Sequence, residues 1–203
     1  MKEIQYAYRM THIDNIENIL NVGLVLPTSE KANPQYVPIG DVTAIDTRRH
    51  SILPNGRSIG DYIPFYFGPR TPMLYVIQHG YNNVTQRKAE EIVYCVISID
   101  DIVRNNVPCI FTDGHALTKI TTIYPGHLLK DVNKYVKYCD VYAKQWIDEP
   151  DAKRLKEAEL LIESDMSPTY IRYFLVYNES ARQKLLSLNI DEMKIRIAPH
   201  FYF

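Results

Sequence analysis

The chain has 203 residues, with 23 Lys+Arg against 24 Asp+Glu for a net charge of −1, 46% hydrophobic residues and 11% aromatic residues. That profile excludes a disordered chain and fits a single globular domain over residues 1–203, large enough to bury a core without a disulfide or metal staple. No apolar run approaches the roughly 18 residues a membrane span needs, and near-zero charge argues against a non-specific nucleic-acid coat while leaving room for a local basic groove.

Tyr6 to Met10 reads as a short strand and Thr11 to Gly23 as a first helix, with Ile16, Ile19 and Leu20 at helical spacing and Gly23 placed to end it. From Leu24 to Gly60, Pro27, Pro34, Pro38, Pro54, Gly40 and Gly56 interrupt polar residues with no sustained period, which predicts irregular backbone. A loop of that length inside a domain is usually functional. Within it, Arg48-Arg49-His50 taken alone is a solvated basic patch. Ile63 to Gly68 and Met73 to Ile77 read as strands around the turn Gly68-Pro69-Arg70-Thr71-Pro72. Glu91 to Ile99 is nearly continuous in apolar residues, the pattern of a strand buried on both faces, and puts Cys95 in the core. A short helix over Asp100 to Asn106 then leads to a strand over Pro108 to Thr112 and a tight turn at Asp113-Gly114-His115.

Val132, Tyr135, Val136, Cys139, Tyr142 and Ala143 recur at three- and four-residue spacing, which predicts an amphipathic helix over Asp131 to Trp146, its segment closed by Pro150. Between Pro150 and Met166 two patterns compete. Ala152, Leu155, Ala158 and Ile162 fit a helical stripe, whereas Glu159-Leu160-Leu161-Ile162-Glu163 fits the start of a buried strand. A carboxylate entering such a run, as Glu159 does, has to be exposed, paired or used, because burying it bare is costly. Ile171 to Tyr177 reads as a strand, Glu179 to Leu188 as a helix and Lys194 to Ala198 as a last strand. Helices and strands mix without regular alternation, so the expected class is α+β.

The six histidines form no metal-ligand spacing, and no metal is expected. Three cysteines without Cys-x-x-Cys spacing fit reduced thiols in a cytoplasm. Glycine-rich dinucleotide motifs, phosphate loops and nucleophile elbows are all missing, so any nucleotide is held another way. Residues 115–156 hold eight Lys/Arg against five acids, with Tyr124, Tyr135, Tyr138 and Tyr142 among them. Aromatic faces interleaved with cations are what stacking of unpaired bases requires.

Taken in order, Tyr8-Arg9-Met10-Thr11-His12-Ile13-Asp14-Asn15-Ile16, Gly23-Leu24, Arg48-Arg49, the run from Asp61 to Leu74, Phe111-Thr112-Asp113-Gly114-His115-Ala116 and Ala158-Glu159-Leu160-Leu161-Ile162 resemble the DarT family of DNA ADP-ribosyltransferases, the toxins of toxin–antitoxin pairs. The resemblance implies the small α+β ADP-ribosyltransferase fold, two packed and mostly antiparallel sheets with peripheral helices and an NAD cleft between them. It implies NAD as co-substrate and no metal. It places Arg9, Met10, Thr11, Asn18 and Leu26 on NAD, with an NAD-binding loop at about 31–51. A substrate-binding loop would run over about 115–159, with DNA contacts at Asp113, His115 and Arg154. Arg49 and Glu159 match the two catalytic positions, facing one another across the dinucleotide, and Glu159 is put at the start of a strand. Glu159 would stabilise the sugar cation that forms as nicotinamide leaves. Arg49, always protonated, would hold the NAD phosphates and lower the pKa of the target base. The expected activity is transfer of ADP-ribose to a base in single-stranded DNA, thymine in preference to guanine, countered by a DarG-like macrodomain antitoxin. The alternatives are a protein or RNA acceptor, or a non-catalytic NAD- or nucleic-acid-binding module. A cytoplasmic monomer without a membrane partner is expected.

Overall fold

In the computed structural model, which describes residues 2–146 and 151–203, the long apolar run forms an interior strand buried on both faces, as the sequence predicts. The strands are β1 (Tyr6–His12), β2 (Ile63–Tyr66), β3 (Ile92–Ser98), β4 (Cys109–Thr112), β5 (Ile123–Pro125), β6 (Glu159–Ile162), β7 (Ile171–Val176) and β8 (Ile195–Ile197). They join in one sheet of order β5-β4-β6-β2-β1-β3-β7-β8, antiparallel except for the β7–β8 pair. The helices are α1 (Ile16–Val22), α2 (Val42–His50), α3 (Pro72–His79), α4 (Ile99–Arg104), α5 (Tyr138–Val141), α6 (Ala152–Lys156) and α7 (Glu179–Leu186).

The α+β class holds, but the strands form one eight-stranded sheet rather than the expected two packed sheets, because β1 pairs with both β2 and β3 and so joins the two halves. β1 pairs with β3 along its whole length, from Tyr6 opposite Ser98 to His12 opposite Ile92. It meets β2 at the single pair Tyr8–Tyr66. Beyond Tyr8 the two strands separate, and the Arg9 guanidinium spans the opening to donate to the Pro64 carbonyl at 3.1 Å. On the far side Tyr66 lies opposite Glu159, so Tyr8, Tyr66 and Glu159 form one cross-strand row.

One face of the sheet carries Ala7, Phe65, Phe67, Cys95, Ala158, Leu160 and Ile162 into the main core, beneath Ile16 and Ile19 of α1 and Ala181 and Leu185 of α7. The other face has its apolar cover in two patches. Tyr8, Tyr94 and Val96 pack against Leu74 and Ile77 of α3, while Leu161 packs with Leu53, Ile59, Tyr62 and Ala116.

Several local expectations change. Met73 to Ile77 lies within α3 rather than in a strand: Thr71 Oγ1 accepts from the Leu74 N–H at 3.3 Å and Pro72 occupies the first turn, a start signal that outweighs β-branched content. The first helix begins at Ile16, because β1 keeps Thr11 and His12 paired to β3. Asp131 to Trp146 is not one helix. A 3₁₀ segment over Gly126–Lys134 bends at Asp131, and only α5 follows; the apolar spacing survives as buried Leu129, Val132, Val136 and Val141. Pro150, expected to close this stretch, lies outside the described residues. Between Pro150 and Met166 both competing patterns are realised in succession, as α6 and then β6. The segment Leu24 to Gly60 contains α2, which buries no residue and so carries no apolar period to read; Asp41 starts it by accepting from the N–H groups of Thr43 and Ala44.

Candidate active site

Glu159 opens β6 with a side chain only 1% exposed. Its carboxylate accepts from Arg48 through both oxygens, Nη1 to Oε1 at 3.1 Å and Nη2 to Oε2 at 2.8 Å, and Oε1 also accepts from the Ala116 N–H at 3.0 Å. The Glu159 N–H donates to Thr112 Oγ1 at 3.0 Å, which fixes the backbone as well. Burial pushes this carboxyl up, but the Arg48 charge and its hydrogen bonds outweigh that and hold it below the usual carboxylate range. Three acceptor sites on the carboxylate are filled and one on Oε2 is left for a hydroxyl donor.

The guanidinium on Glu159 belongs to Arg48; Arg49, expected to face Glu159 across the dinucleotide, is the next residue of the same helix. Successive residues of a helix point about 100° apart, and the phase of α2 turns Arg48 inward and leaves Arg49 exposed. That phase is set from below. Ser58 Oγ lies 2.9 Å from the Arg48 carbonyl and 2.8 Å from the Arg49 carbonyl, and a Cβ on Gly60 would come within 2.9 Å of the Arg49 Cα.

Three of the five expected NAD contacts lie on β1 where it parts from β2. Arg9, Met10 and Thr11 occupy β1 beyond the Tyr8–Tyr66 pair. Met10 packs beside Tyr8, and Thr11 Oγ1 lies 3.3 Å from the Tyr36 hydroxyl. Asn15, buried and unremarked in the sequence, ties the loop down: Oδ1 accepts from the Val37 N–H and Nδ2 donates to the Val37 carbonyl, both at 2.8 Å, and to Thr11 Oγ1 at 3.0 Å. Asn18 is half-buried on α1, and Leu26 packs on the main core with its N–H donating to Asp165 Oδ1 at 2.8 Å.

The three expected DNA contacts fall at one end of the substrate loop. Arg154 donates to both Asp151 oxygens at 2.7 Å, to Asp113 Oδ1 at 3.0 Å and to Thr121 Oγ1 at 3.3 Å, so it knots α6 to the β4–β5 turn. His115 donates its N–H to the Arg154 carbonyl at 3.0 Å. Burial lowers the imidazole pKa although Glu159 pulls it upward, leaving the ring neutral near pH 7. Besides Arg48, Thr112 and Asn15, sequence reasoning missed Tyr66 and Glu157. Tyr66 sits beside Glu159, and burial followed by the two nearby carboxylates pushes its phenol far up. Among the described residues, no cluster of His, Cys, Asp or Glu is placed to hold a metal ion, and no helix is long and apolar enough to cross a membrane.

A solved structure of Thermus sp. 2.9 DarT in complex with ADP-ribosylated ssDNA matches this fold with a TM-score of 0.85 at 26% identity, covering 100% of this chain and 98% of that one. The same protein in complex with NAD+ matches at 0.81 and 25% identity, covering 100% and 99%. The fold is that of the NAD-dependent DNA ADP-ribosyltransferases. The family model described as "ssDNA thymidine ADP-ribosyltransferase, DarT" matches residues 8–203, and the chain belongs to the DarT family. A DNA ADP-ribosyl transferase of Escherichia coli O127:H6 is 31% identical over 183 residues, 88% of this chain and 83% of that protein. A DNA ADP-ribosyl transferase–DNA ADP-ribosyl glycohydrolase fusion protein of Thermosipho africanus is 26% identical over 97% of this chain and 49% of its own length.

Proposed function

We propose that the chain transfers the ADP-ribosyl group of NAD to a thymine base of single-stranded DNA and releases nicotinamide. The observation that carries this reading is the buried, ionised Glu159, clamped by Arg48 and the Ala116 N–H beside the opening between β1 and β2. NAD supplies the ADP-ribosyl group and the leaving nicotinamide. The free acceptor site on Glu159 suits a ribose hydroxyl, from which the carboxylate stabilises positive charge at the anomeric carbon as the glycosidic bond breaks. A carboxylate already desolvated and fixed needs little reorganisation to do so.

Arg48 holds Glu159 in the ionised state, and Arg9 and Arg49 are the guanidinium groups available to the NAD diphosphate. Residues 31–51 form the NAD-binding loop, with Met10, Thr11, Asn18 and Leu26 along its floor. Residues 115–159 form the substrate-binding loop, which Asp113, His115 and Arg154 shape for DNA. A single-stranded substrate suits an enzyme that attacks a ring nitrogen, because in duplex that nitrogen is engaged in pairing and extruding the base costs a few kcal/mol. The Thermosipho relative, fused to a DNA ADP-ribosyl glycohydrolase, supports a DarG-type partner that removes the modification from DNA, and the reading includes a toxin role in the cytoplasm.

Mass spectrometry of oligodeoxythymidylate incubated with the protein and NAD tests the reading. The expected product is heavier by one ADP-ribose per modified base, and Glu159→Ala reduces the rate at least about 10²–10³-fold. An unmodified thymine oligonucleotide alongside modified RNA or protein would replace the acceptor.

A further inference from the structure

A single strand that delivers one base to Glu159 brings the neighbouring nucleotides to the protein surface with it. A surface that receives them has aromatic faces open to solvent and cations, rather than carboxylates, close by.

Such a surface lies on α3. Tyr75 and His79 stand one turn apart on the same side of that helix, with ring centroids 4.1 Å apart. The His79 ring is fixed, its Nδ1 donating to the Tyr75 carbonyl at 2.8 Å. Gly80 ends the helix in the left-handed region at φ 69°, and the reversal lays Tyr81 against His79, centroids 5.5 Å apart and planes inclined by only 6°. His79 is exposed and Tyr81 is 49% exposed, so the shelf is preformed and accessible.

The rings continue inward toward the site. Tyr75 lies 6.0 Å from Trp146, a residue of the 115–159 segment, and 5.1 Å from Phe203. The Arg70 guanidinium covers Phe203 at 4.3 Å, and the Lys156 ammonium is 5.8 Å from the Trp146 ring centre. Among the described residues the Arg70 Nε is buried without a hydrogen-bond partner. Phe201, two residues before Phe203, meets Tyr8 edge-on at 5.9 Å, and Tyr8 begins the cross-strand row that ends at Glu159. From Tyr62 to Ala89 the chain carries no Asp or Glu, against Arg70, Arg87 and Lys88, so phosphates crossing α3 meet no carboxylate from this segment.

We propose that the Tyr75–His79–Tyr81 shelf stacks nucleobases of the substrate strand that flank the modified one. Every base has a π face, so stacking there adds affinity and favours longer strands without reading sequence; the choice of the modified base stays with the site. The inference rests on the single-stranded DNA reading above.

The test measures binding of oligodeoxythymidylates of about 4 to about 16 nucleotides in the absence of NAD, by anisotropy of the labelled strand and by the emission of Trp146, the only tryptophan in the chain. In the wild type, affinity rises with length as the strand passes from the site onto the shelf, and long strands change the Trp146 emission. Tyr81→Ala and His79→Ala are expected to weaken binding of the longest strand at least about fivefold, the lower end for one base–aromatic stack, while the shortest strand and NAD bind within about twofold of wild type. Tyr81→Phe keeps the ring and should bind every length as the wild type does. Wild-type affinity at every length in both alanine variants, or an equal loss at every length, would overturn the shelf and leave its rings to a protein partner or to the packing of α3. Length-dependent binding with no gain of mass when NAD is added would sink base transfer and leave the shelf standing. No binding of any oligodeoxythymidylate by the wild type would sink both.

Discussion

A carboxyl that holds its proton to about 7 in the folded chain but ionises near 4.5 when unfolded, as Glu157 does, makes stability depend on pH in a defined direction. Between those values the native state binds more protons than the unfolded state, so this group lowers stability as pH rises and its full cost is present above 7. Glu157→Gln removes that cost. Its advantage over wild type is expected to grow by about 1–3 kcal/mol between pH 4.5 and pH 8, read from urea melts at the two values; an advantage independent of pH would show the residue to be solvated. Glu159 behaves in the opposite sense. Its lowered carboxyl contributes stability at neutral pH that is lost as pH falls below the ordinary carboxylate range. Two buried carboxylates two residues apart, one at the end of α6 and one opening β6, are thus driven apart because Arg48 hydrogen-bonds one of them and not the other.

At the scale of elements, α2 decides which of two adjacent arginines reaches the site. Its length and its Asp41 cap are local, but its rotation is imposed by Ser58 and by the close approach that Gly60 permits. Arg48→Ala is expected to leave Glu159 buried without its counter-charge, to destabilise the fold by about 3–5 kcal/mol and to abolish transfer. Arg49→Ala is expected to keep the melting temperature within about 2 °C, a surface-scale change, and to raise KM for NAD. Equal losses of stability from both would mean that the helix is turned otherwise. Neither outcome was legible in the sequence, where Arg48-Arg49-His50 is a basic patch without apolar period. The strands were legible because β3 is buried on both faces and its composition says so. α3 was misread because its apolar side chains suit either structure and only Thr71-Pro72 marks a helix start. Glu157 escaped notice because, among Lys153, Arg154 and Lys156, it reads as one more charge on a solvated helix face.

The whole molecule is organised around a sheet that divides at one residue pair. Pairing of β1 with β2 stops after Tyr8–Tyr66, and the segment carrying α5 is drawn over the junction, the Tyr8 and Tyr142 hydroxyls 2.7 Å apart. Gly68 makes that docking possible, because a Cβ there would come within 2.0 Å of the Val141 carbonyl oxygen. Gly68→Ala is expected to cost about 1–3 kcal/mol and to weaken oligonucleotide use more than NAD binding, checked by chemical denaturation and by KM for each substrate; unchanged KM values would separate this segment from DNA. What the amino-acid order determined unaided is whatever depends on near neighbours: the apolar strands, the α+β class, and an ordered set of motifs specific enough to imply the family and single out Glu159. What only the tertiary structure decided is which charges meet. Arg48 and Glu159 are 111 positions apart, and no local pattern encodes the rotation of a helix against a strand from another part of the chain. Burial pushes the carboxyls at 157 and 159 up alike, and only the Arg48 charge and its hydrogen bonds reverse the direction at 159; both burial and that pairing are properties of the folded assembly rather than of any residue in it.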